Sequence, residues 1–113
     1  MPSKPLEQLC DIAEEVHKAI QRDFDDIDPL IGVSQNMRTS GIPADVMTVD
    51  CLRTRKRIII ILHDQQPDII RYQFTLMDED PGGDFEELLF AEFKNETFYH
   101  WISQYFLQAD NIQ

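Results

Sequence analysis

The sequence predicts one α+β domain: an antiparallel four-stranded meander, in the order α-β-β-β-β-α, with the N- and C-terminal helices packed on one face. Three observations point to it. Apolar residues recur at steps of three and four near both ends of the chain. Five consecutive aliphatics, Ile58 to Leu62, form a run too short to span a membrane and too apolar for a sheet margin. Between Ile69 and Met77, apolar and polar residues alternate with the period of a half-buried strand. With 113 residues, 42% hydrophobic and 27% charged, the chain is sized for one domain over residues 1–113 with a single core.

The first helix is predicted over Pro5 to about Phe24. Leu6, Leu9, Ala13, Val16, Ile20 and Phe24 make its apolar stripe, with Cys10 beside it and His17 at its rim. Ser3 is the expected N-cap, and Pro5 suits a first turn. Pro29 and the acids Asp23 to Asp28 end the helix. Those acids do not make an EF-hand: counting from Asp23 puts Ile27 at loop position five, Asp28 where a glycine is needed and Ser34 where a glutamate is needed.

From Pro29 to Pro43 the periodicity is lost, so a long connection is expected, of the kind that often contains a short helix or one edge of a binding site. Ala44 to Leu52 is the first expected strand, with Met47, Val49 and Cys51 on one face and Val46, Thr48 and Asp50 on the other. A basic turn, Arg53 to Lys56, leads into the central strand, although no glycine, asparagine or proline shapes it. In that strand Ile58, Ile60 and Leu62 face one way and Ile59 and Ile61 the other, which predicts cover on both sides. The third strand, Ile69 to Met77, sets Ile70, Tyr72, Phe74 and Leu76 against Arg71, Gln73 and Thr75. One sheet face is therefore either partly wet or docked on a partner. Phe85 to Phe93 fits either period. Asp84 with Glu87 resembles a capping box, but Pro81-Gly82-Gly83 after a strand favours a hairpin, so a fourth strand is expected. Asn95 then caps a closing helix with Phe98, Trp101, Ile102, Tyr105 and Ala109 as its stripe.

The net charge of -11 disfavours nucleic acid and anionic membrane surfaces, so a partner selected by charge is basic. The amino terminus has no apolar stretch of the signal-peptide kind, and two separated cysteines, Cys10 and Cys51, suggest reduced, buried thiols; the expected location is the cytoplasm. Neither a C-x-x-C, a phosphate-binding glycine loop, a G-x-S-x-G nor an H-E-x-x-H occurs. His17, His63 and His100 sit on three different elements without metal-ligand spacing, so no metal or cofactor is expected.

Two functions fit this reading. The first is a non-catalytic protein-binding or adaptor module acting as a homodimer, with a basic protein as partner. In profile, a small acidic α+β chain with a long amphipathic first helix is similar to bacterial secretion chaperones, which bind extended segments, although the likeness is compositional and covers no motif. An acidic surface mimicking nucleic acid is a variant of the same idea. The second is a small enzyme or anion-binding domain with a site near His63, the Arg53–Arg57 turn and the 29–43 loop. Candidate binding residues are Arg53, Arg55, Arg57 and His63, with Trp101 and Tyr105 as ring-bearing contacts.

Overall fold

The computed structural model describes residues 4–25, 27–79 and 83–107. Its elements are helix α1 (Lys4–Asp23), strand β1 (Leu30–Ser34), short helix α2 (Asn36–Thr39), strands β2 (Ala44–Cys51), β3 (Lys56–His63), β4 (Ile69–Leu76) and β5 (Glu86–Leu89), a single 3-10 turn (Phe90–Glu92) and helix α3 (Asn95–Leu107). The strands form one antiparallel sheet in the order β1-β2-β3-β4-β5. The isoleucine strand is central, as its apolarity requires. Ser3, residues 80–82 and Ala109 lie outside the described residues.

The sheet has five strands rather than the expected four. The extra one, β1, lies in the stretch read as a connection. Leu30 and Val33, on opposite faces of this edge strand, are both exposed, and Gly32 interrupts the run, so no period of two was visible. The expected strand over Phe85 to Phe93 is shortened to Glu86–Leu89. Beyond it the chain turns, with the Phe90 N–H donating to the Asp68 carbonyl and the Phe93 N–H to that of Phe90. The basic turn solves its missing glycine by placing Arg55 itself in the left-handed region, at φ 63°, with its N–H bonded to the Cys51 carbonyl.

Both long helices cover one face. Leu6, Leu9, Val16 and Ile20 of α1 and Phe98, Ile102 and Phe106 of α3 join Met47, Val49, Ile58, Ile60, Leu62 and Ile70 in one core. The expectation of cover on both sides of β3 therefore fails: among the described residues, neither α1 nor α3 packs on the other face. Ile59 is nevertheless buried there, between its cross-strand neighbours Thr48 and Gln73, and Ile61 is half-buried. Cross-strand side chains on the same face can shield an aliphatic without a second layer. Cys51 is buried as expected, whereas Cys10 is exposed on the flank of α1.

Candidate functional site

Register and turn geometry disperse the residues selected from the sequence. Arg53 and Arg55 sit in the β2–β3 turn. Arg57 and His63 share the uncovered sheet face but lie at opposite ends of β3, about 20 Å apart at ~3.3 Å per residue. Arg55 is bonded to Asp78 at 2.7 Å, and Arg57 holds Asp50 through two bonds, at 2.6 and 2.9 Å. Those carboxylates push both guanidinium pKa values up. His63 uses its Nδ1 to accept the Gln65 N–H.

Trp101 and Tyr105 are on the helix-covered side. Trp101 packs on Tyr72, Phe93 and Phe74, and Tyr105 stacks on Phe74 with centroids 5.0 Å apart. With Phe74 and Leu107 they line an open hollow of about 710 Å³ along α3. The cation that reaches these rings is Lys56, which is buried. Its Nζ donates to the Tyr105 carbonyl at 3.0 Å, near the negative end of α3, and lies 5.1 Å from the Tyr105 ring centre. The Tyr105 hydroxyl donates to the Thr75 carbonyl at 2.8 Å. It thereby occupies the rim of β4 beyond Tyr72, where β5 no longer pairs.

The 29–43 loop does meet the neighbourhood of His63, through Arg38. Its Nε and Nη2 bind the buried Asp45 at 2.6 and 2.8 Å, while Nη1 and Nη2 bind Asp64 at 2.8 and 2.7 Å. Gln35 also donates to Asp45. The Arg38 fork holds both carboxyls below the usual carboxylate range, against the opposing effect of desolvation. With its donors aimed at Asp45 and Asp64, Arg38 ties α2 to the sheet. No spacing rule links Arg38 to Asp64, so the cluster was invisible in the sequence. Among the described residues, no three histidine, cysteine, aspartate or glutamate side chains come close enough to hold a metal ion.

A second groove runs between α1 and β1. It holds about 490 Å³ and is lined by Ala13 and His17 of α1, Pro29, Ile31 and Val33 at the sheet edge, and Met47. Glu14 and Asp28 stand on its rim, with Asp28 3.9 Å from the His17 ring. Cys10 also lines it; desolvation there, followed by the charges of Asp11 and Asp45, pushes its thiol up and away from thiolate chemistry. Beside the groove lies the outer edge of β1, which among the described residues pairs with β2 alone. The two sheet edges differ in kind. β5 carries Glu86 and Glu87 and turns away after four residues, whereas β1 is uncharged, Leu-Ile-Gly-Val-Ser, with Leu30 and Val33 exposed. Edge strands are ordinarily blunted by charge, proline or a bulge; within its five residues β1 has none of these, and Pro29 stands just before it.

Comparison with protein families, with characterised proteins and with solved structures finds no significant match. No helix of the described residues is long and apolar enough to cross a membrane.

Proposed function

We propose that the chain is a non-catalytic protein-binding or adaptor module, acting as a homodimer, that captures an extended basic segment on the free edge of β1. The observation carrying this reading is the uncharged, unblocked edge beside an apolar groove with an acidic rim. An added strand would satisfy the outward N–H and C=O groups of β1. Every second side chain of the guest would enter the groove over Ile31 and Val33, and flanking lysines or arginines would meet Glu14 and Asp28. The alternative reading, an enzyme or anion site around His63, has less support, because Arg38, Arg55 and Arg57 each hold the protein's own carboxylates.

The test is fluorescence anisotropy with a labelled peptide of alternating valine and threonine flanked by lysines. It should bind with a Kd of about 10–100 μM, more weakly as salt rises, and more tightly than its glutamate-flanked twin. Val33→Lys, which places a cation at the groove, should abolish binding. Failure of the lysine-flanked peptide to bind at about 1 mM, or equal binding to Val33→Lys, would remove the groove from consideration.

A further inference from the structure

We propose that a second copy of this chain covers the open face of the sheet in a two-fold pair. This rests on the reading of the protein as a homodimeric module and assigns the surface that pairs. The register identifies the side chains on that face. The half-buried Val46, Thr48 and Ile61 occupy its middle, around the buried Ile59, and the exposed Leu30 and Leu89 face the same way from β1 and β5. The ion pair Arg57–Asp50 lies toward one end, and Arg71–Glu87 toward β5. An aliphatic centre with its charges at the margins has the make-up of an interface.

Charge selects the occupant. The chain carries -11, yet the strand positions facing this way hold two acids, Asp50 and Glu87, and two arginines, Arg57 and Arg71, which cancel. The acids gather elsewhere: α1 alone contributes Glu7, Asp11, Glu14, Glu15 and Asp23 against Lys18 and Arg22 at described side chains. A basic partner finds nothing to attract it on the neutral face. Two copies of so acidic a chain, by contrast, can meet there with their negative surfaces turned outward, because the charges of this face are already paired within each chain. The size is also suitable. Strands of five, eight, eight, eight and four residues, at ~3.3 Å per residue and ~4.8 Å spacing, give a projected area of roughly 520 Å², about two-thirds of the ~800 Å² of accessible surface that each partner buries in a stable complex. Gly32 adds room at the β1 side, where a Cβ would meet only the Thr48 hydroxyl, at 3.8 Å.

Light scattering after gel filtration tests this on the full chain. The expected mass is twice 13.2 kDa. Ile61→Lys, which puts a charge inside the patch, should weaken the pair by at least about tenfold while keeping a cooperative melt. Thr48→Lys, on the neighbouring strand of the same face, gives the same readout if Ile61→Lys does not fold. Val33→Lys, in the groove, should leave the mass doubled. A mass of 13.2 kDa for the unaltered chain at tens of micromolar overturns the proposal. So does a pair that survives both face variants, or one broken by Val33→Lys alone, which would assign pairing to the β1 edge. Peptide binding by the single-copy Ile61→Lys protein separates this outcome from the fate of the groove.

Discussion

Truncating Ile60 and Ile61 separately measures how unequal the two sides of β3 are. Ile60 is fully buried, directly opposite Met47 on one side and Tyr72 on the other, beneath the helices. Ile60→Ala removes three carbons from that position, worth ~0.8 kcal/mol each, or about 2.4 kcal/mol of transfer free energy. Met47 is flexible and closes part of the void. A residual cavity of about 60 Å³ at ~24 cal/mol per Å³ adds about 1.4 kcal/mol, giving roughly 4 kcal/mol in all. For a domain of this size that lowers Tm by roughly 15 °C. Ile61 is half-buried on the uncovered face, so Ile61→Ala loses about half the transfer term and leaves no closed cavity, for about 1 kcal/mol. Urea unfolding followed by circular dichroism, with protein dilute enough that self-association does not contribute, reads both values. Equal costs at the two positions, or a larger cost at Ile61, would refute the assignment of helices to the Ile60 side.

Two further outcomes follow from the polar contacts. Asp45 and Asp64 have carboxyls depressed by Arg38, so their contribution is present above the unfolded carboxylate pKa of about 3.9 and is lost as pH falls through and below it. Asp45→Asn should therefore flatten the acid limb of the stability profile between about pH 5 and pH 2; an unchanged limb in acid titrations of the melting temperature would count against the clamp. Tyr105→Phe deletes the hydroxyl that bonds the Thr75 carbonyl and should cost about 1 kcal/mol in the same urea assay, whereas no loss would mean that water satisfies that edge equally well.

Much of the fold was legible because local periodicity reports burial directly. The stripe of α1, the run Ile58 to Leu62 and the alternation after Ile69 each announced an element and its inward face. The β1 strand escaped because, at an edge, burial imposes no alternation. The groove beside it escaped for a different reason: Ala13, Ile31 and Met47 come from three elements that only packing brings together. The basic turn was legible as a cluster of charge, but not as a set of arginines facing their own carboxylates, since Asp50 and Asp78 reach it through strand register and turn geometry.

The sequence by itself determined the α+β class, the central place of the isoleucine strand, the terminal helices and the acidic surface, all of which follow from composition and short-range spacing. Tertiary structure alone decided that, among the described residues, neither long helix covers the second sheet face, that its charges cancel, and that Arg38 joins Asp45 to Asp64. Those properties depend on which distant segments lie side by side, and strand pairing sets that over separations that local pattern does not encode.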